Sequence, residues 1–144
     1  MDSKKPIKSY ADLDVYCATY GSAITVITQL LPMLPASEKF DLKDQLSRSG
    51  KAVPRLIAEG YAKRHQKAGF RKYLGDAMGE CNETVVGINM CRDIYKIDTE
   101  LCNKLADVYD KAGRQLYNLS AAWSGFKDDR RNHPTIRASL PQAD

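Results

Sequence analysis

The chain has 144 residues and a mass of 16.1 kDa, with 43% apolar and 28% charged residues, which suits one globular domain around a single core. Those proportions exclude a disordered chain, a collagen-like chain and a membrane-spanning one. Twenty-two basic residues against eighteen acidic ones leave a formal net charge of +4, too small as a total to name a partner.

The opening residues, Met1-Asp2-Ser3-Lys4-Lys5-Pro6, are polar, and no apolar run of the kind a secretion signal needs follows them. We therefore expect a cytoplasmic protein with a short arm over residues 1–8, a helical domain over 9–126 and a flexible tail over 127–144. Ser9, with Asp12 three residues on, is placed to cap the first helix. That helix carries an apolar stripe of Leu13, Cys17, Tyr20, Ile24, Ile27 and Leu31, and Pro32 and Pro35 end it. Thr25, Thr28 and Gln29 break the apolar run around it, which is too short and too polar to span a bilayer.

Asp41 or Ser37 opens the second helix, with the stripe Leu42, Leu46, Ser49, Val53, Ile57 and Gly60. Pro54 inside it is expected to kink the helix or release a carbonyl. The charged run Ala62 to Lys67 marks the break before the third helix, whose stripe is Phe70, Leu74, Ala77, Cys81, Val85, Ile88, Cys91 and Tyr95. Gly69, Gly75, Gly79 and Gly87 also fall in the third helix. Each costs roughly 0.5–1 kcal/mol against Ala, which calls for close packing inside the bundle or between subunits. Asp98 opens the fourth helix, with Leu101, Leu105, Val108, Ala112, Leu116, Leu119, Trp123 and Phe126 on one face. No segment alternates as a strand does. Short connections between long helices give an all-α, antiparallel up-down-up-down four-helix bundle.

Little here is catalytic. Cys17, Cys81, Cys91 and Cys102 form no CxxC pair and read as reduced thiols used as small core residues. Neither His65 nor His133 follows a Glu by three residues, so a di-iron bundle site is not expected, nor is any cofactor.

Three motif groups are more specific. Tyr10-x-Asp12-Leu13-x-Val15-Tyr16 opens the first helix. Leu42-x-x-Gln45-Leu46-x-Arg48-Ser49 precedes Val53-Pro54-x-x-Ile57-Ala58-Glu59-Gly60, and Phe70-x-x-Tyr73-Leu74-x-x-Ala77-x-Gly79-x-x-x-Glu83 follows. Together these resemble the four-helix-bundle proteins encoded in 23S rRNA intervening sequences, over about Tyr10 to Phe126. The resemblance implies a non-enzymatic bundle that assembles into a ring-like homo-oligomer, typically a homopentamer. It also relates the chain to accessory proteins of diversity-generating retroelements, which bind nucleic acid and a reverse transcriptase. Three departures stand out: Leu56 replaces a usual Asn, Glu80 replaces a usual Ser after Gly79, and the segment from Gly60 to Phe70 is one residue longer. Among the motif residues, Gln45, Arg48, Glu59 and Glu83 are candidates for a structural polar network, with Arg48 paired to one of the glutamates.

Charge is unevenly spread. From Lys39 to Lys72 ten basic residues face three acidic ones, a net of +7, and from Asp76 to Asp110 three basic residues face eight acidic ones, a net of −5. Lys51 with Arg55, Lys63 with Lys67 and Lys67 with Arg71 are spaced to share a helix face where the chain is helical. Lys51, Arg55, Lys63, Arg64, Lys67, Arg71 and Lys72 are thus candidate phosphate contacts for RNA or DNA. A protein-interaction scaffold, for example for a reverse transcriptase, is the alternative. Tyr61 and Tyr73 are expected to pack in the core rather than stack on bases.

Overall fold

A computed structural model of the chain describes residues 6–123, and among these there is no strand. Four helices make the body: α1 (Asp14–Thr25), α2 (Leu42–Ala62), α3 (Lys67–Tyr95) and α4 (Thr99–Trp123). Phe126 and the expected tail lie outside the described residues, as does most of the expected arm.

The first helix differs from its sequence reading at both ends. Ser9 does cap, but it caps a separate turn of 3-10 helix, Tyr10–Asp12. There the Ala11 N–H donates to Ser9 Oγ (3.2 Å) and the Ser9 N–H to Asp12 Oδ2 (3.1 Å). At the far end α1 widens into a π turn, Val26–Leu30, and then tightens into the 3-10 turn Leu31–Met33 that holds Pro32. Thr28 Oγ1 donates back to the Ile24 carbonyl at 2.7 Å beside this turn.

The buried face of the first helical segment is only partly the one expected: Leu13 and Leu31 are buried and Ile27 half-buried, but the middle of the stripe is not. Val15, Thr19, Ser22, Ala23, Val26 and Leu30 point into the core, while Cys17, Tyr20 and Ile24 are exposed. Apolar residues lie on both sides of this helix. The side built from small and β-branched residues lets its backbone come closest to α2 and α4, and that side wins.

The next three helices follow their stripes. Every member of the α2 stripe is buried, and α2 runs unbroken through Pro54. Its first turn is capped neither by Asp41 nor by Ser37; Glu38 Oε1 accepts the Leu42 N–H at 3.0 Å. The α2–α3 pairing is antiparallel and regular. Glu38 bonds Tyr95, Leu46 faces Gly87, Ser49 bonds Thr84, and Gly60 faces Tyr73, so partners descend along α3 as they ascend along α2.

One of these contacts accounts for one of the third-helix glycines. A Cβ on Gly87 would fall 2.7 Å from Leu46 Cδ2, so its backbone approach to α2 admits no side chain. Gly75 and Gly79 have nothing within 4 Å of that position. Lys96, at φ 56°, turns the chain out of α3, and Asp98 Oδ1 then accepts the Leu101 N–H at 3.0 Å to start α4. At the opposite end Trp123 packs against Tyr61 and Phe70 and donates from Nε1 to the Arg64 carbonyl (3.2 Å), tying α4 to the α2–α3 turn.

One polar group is left alone in the core. The Tyr109 hydroxyl is fully buried without a hydrogen-bond partner, 3.5 Å from where a Gly50 Cβ would sit. Burial pushes its ionisation well above the ordinary tyrosine range.

Candidate functional site

The seven basic residues separate into two groups. Lys51 and Arg55 lie one turn apart on the exposed side of α2, as their spacing predicts. Lys63, Arg64, Lys67, Arg71 and Lys72 gather at one end of the bundle, on the α2–α3 turn and the first turns of α3. The helix ends at Ala62, so Lys63 and Lys67 do not share a helix face; Lys67 and Arg71 do. From Gly60 to Gly75 the chain carries those five cations and no carboxylate.

Their surroundings differ. Lys51, Arg55 and Lys63 are exposed and make no ion pair among the described residues. Arg64 is half-buried, stacked 4.2 Å over the Tyr61 ring and donating to the Tyr61 carbonyl (3.0 Å). Lys72 pairs with Asp76 at 3.0 Å, and this bond raises its pKa further. Tyr61 is buried and Tyr73 half-buried, so both serve packing as expected.

The four motif polar residues do not form the network anticipated. Arg48 is exposed and pairs with Asp44, four residues earlier on its own helix (3.3 Å), not with a glutamate. Gln45 donates to Asp41 at 3.2 Å, again within the helix. Glu59 and Glu83 are both exposed, and Glu59 lies away from the others, near Lys72. In-helix partners win because i, i+4 spacing brings them together without ordering a second element. What crosses from α2 to α3 is smaller and buried: the Ser49 and Thr84 hydroxyls, 2.8 Å apart, with Thr84 also bonded to the Glu80 carbonyl (2.7 Å).

Two grooves flank Lys51 and Arg55. On the α3 side, a polar groove of about 640 Å³ is lined by Gln45, Arg48, Ser49, Lys51, Arg55, Glu80 and Glu83. Burial, and then the neighbouring Glu83 carboxylate, hold the Glu80 carboxyl above the usual range, against the pull of Arg48. On the α1 side, an apolar groove of about 320 Å³ is lined by Tyr10, Tyr16, Tyr20, Ala23, Ile24, Ile27, Pro54 and Ala58. Tyr16 and Tyr20 stack at 5.8 Å between centroids, and Tyr10 meets Tyr16 edge-on at 4.9 Å. Sequence reasoning missed this groove because three of its lining residues, Tyr20, Ile24 and Ile27, were assigned to the core stripe of the first helix. The signal was the pair of small residues Thr19 and Ser22 on the other side of α1.

No group of three or more His, Cys, Asp or Glu among the described residues is placed to hold a metal. Burial pushes the Cys81 and Cys91 thiols up to about 12, which removes them as nucleophiles near neutral pH. No described helix is long and apolar enough to cross a membrane.

No functionally curated protein matches the chain. Its fold is similar to that of a protein of unknown function from the S23 ribosomal protein family of Bacteroides thetaiotaomicron. The two align with a TM-score of 0.65 and 22% identity, over 74% of this chain and 95% of the other. The family profile described as 23S rRNA-intervening sequence protein matches residues 11–118, which take in the first three helices and most of α4. The chain therefore belongs to the family of 23S rRNA-intervening sequence proteins.

Proposed function

We propose that this protein is a non-enzymatic, self-assembling helical bundle that binds nucleic acid through the phosphate backbone. The observation that carries the reading is the end cluster of Lys63, Arg64, Lys67, Arg71 and Lys72, five cations in a stretch from Gly60 to Gly75 that contains no carboxylate, with Lys72 paired to Asp76 just beyond it. Like charges gathered at one place repel, and a polyanion relieves that repulsion. The names of the family and of the matched structure favour RNA as the polyanion. Recognition is of backbone and shape, since the cluster sits on a turn and helix start with no base-reading arrangement. Lys51 and Arg55, exposed further up α2 and without an ion pair among the described residues, are a second pair of cations open to phosphate.

A salt titration with labelled RNA and DNA tests this. Log affinity should fall steeply with log salt, and Lys63→Ala with Arg71→Ala should flatten the slope by about one unit per residue while weakening all sequences alike. Absence of binding at about 50 mM salt, where phosphate contacts are strongest, overturns the reading.

A further inference from the structure

The basic cluster runs on into a groove on the α4 side of α3 that the phosphate reading does not use. Lys67 and Arg71 begin a row that Gly75, Met78 and Asn82 continue at steps of four, three and four residues, so all five share one side of α3. Met78 and Asn82 then form one wall of a groove of about 470 Å³, and Gly113, Arg114, Tyr117 and Asn118 of α4 form the other. Gly75 keeps the way from the cluster clear and Gly113 widens the groove, since a Cβ on either would meet nothing within 4 Å. Tyr117 is 67% exposed, the most open large apolar side chain on the four helices. Asn82 and Asn118 beside it are also exposed, and their amides make no hydrogen bond among the described residues.

We infer that the α3–α4 groove takes unpaired bases of a single strand whose phosphates lie on Lys67 and Arg71. This rests on the phosphate-backbone reading above and deepens it by naming the state of the nucleic acid. Charge divides the surface accordingly. The cluster is cationic and suits phosphate, whereas in the groove Arg114 is held by Asp110 at 2.7 Å, so that pair is neutral and Asp110 repels a phosphate. A flat, uncharged ligand suits what remains: a base can stack on the Tyr117 ring, and each Asn amide offers its edge both a donor and an acceptor. Stacking accepts any base, so it reads no sequence and agrees with recognition by backbone and shape. Bases in a duplex are already stacked and paired and do not reach the ring. From Arg71 to Asn82 the row extends about 16 Å at ~1.5 Å per helical residue, the reach of about five nucleotides at ~3.4 Å each.

A protein segment fits this groove less well. An amphipathic helix docks through a row of apolar anchors into an apolar trough, and Met78 is the one aliphatic side chain among the groove's lining residues. The polar groove between α2 and α3 suits a strand less well too, because Glu80 and Glu83 line it and repel the backbone.

Fluorescence anisotropy on the full chain tests this with a labelled RNA of about twelve nucleotides, used as a single strand and as a duplex. The wild type should bind the single strand more tightly. Tyr117→Ala should weaken single-strand binding by roughly tenfold and leave duplex binding unchanged. The salt slope should stay that of the wild type, because no phosphate contact is lost. Tyr117→Phe keeps the ring and should bind as the wild type does. Position 117 is exposed, and circular dichroism checks that both variants are folded. If Tyr117→Ala weakens both forms equally, weakens neither or flattens the salt slope, the groove does not hold bases and the inference is overturned. When Lys63→Ala with Arg71→Ala flattens the slope and Tyr117→Ala has no effect, this inference fails while the phosphate reading stands. No binding of either form by the wild type at about 50 mM salt overturns both. A lower mass of Tyr117→Ala in light scattering assigns the groove to a second copy of the chain and also overturns the inference.

Discussion

Replacing Gly87 with Ala is the sharpest test of the α2–α3 packing. A methyl group there would lie 2.7 Å from Cδ2 and 2.8 Å from Cγ of Leu46, closer than carbon atoms approach. Cγ is the branch point of that side chain, and Leu46 is 1% exposed and locked in the core, so rotating it away only moves the clash. Overpacking of this kind costs roughly 1–3 kcal/mol. Against it stands the gain of about 1 kcal/mol for removing a glycine from a helix interior. The net is a loss of roughly 1 kcal/mol. Gly113 in α4 is the matched control, because a Cβ there meets nothing within 4 Å. Gly113→Ala should stabilise by about 1 kcal/mol, the full propensity gain. Urea unfolding of both variants at one protein concentration measures the pair, with midpoints moving in opposite directions by roughly 0.3–1 M for m of about 1–3 kcal/mol/M. Equal stabilisation by both substitutions would refute the close approach of α3 to α2 at Leu46.

Two further outcomes follow from buried groups. Thr84→Val keeps the shape of the side chain but strands the Ser49 hydroxyl, and should cost about 1–3 kcal/mol in unfolding experiments. Adding Ser49→Ala should recover part of that loss, and strictly additive costs in the double-mutant cycle would show that the two hydroxyls are not coupled. In a thiol-exchange assay at pH 8, Cys17 should react rapidly while Cys81 and Cys91, raised to about 12 and buried, react only as fast as the protein opens. More than one fast thiol in folded protein contradicts the burial of Cys81, Cys91 or Cys102, and single Cys→Ala variants show which.

Helices α2 and α4 were legible because their apolar residues fall mainly on one face, and α3 because its longest regular row, Phe70 to Cys91, is the buried one although Val86, Met90 and Ile94 form a second row outside. Helix α1 was not, since the bulky residues Tyr20 and Ile24 and the small residues Thr19 and Ser22 lie on different sides. Size suggested the first set as core, whereas close helix packing selects the second. Capping showed a similar limit. Asp98 sits directly before α4 and reads plainly, but Glu38 reaches α2 from a preceding 3-10 turn, Ala36–Glu38, that no periodicity announces. Of the candidate site, the positions and exposure of the cations on α2 were readable. The neighbours that occupy Arg48 and Lys72, Asp44 and Asp76, depend on local rotamers that compete with any longer-range partner.

The placement of the basic cluster at a chain turn has a geometric consequence. Copies related by rotation about one axis carry every equivalent point at the same height and the same radius. In a ring of such copies, the cations at the α2–α3 turn and the start of α3 would recur at even spacing around the axis. A nucleic acid touching one cluster would meet the next at a fixed distance, so contacts too weak to hold alone would act as a chelate. That spacing, rather than any base sequence, would then set the length of strand preferred.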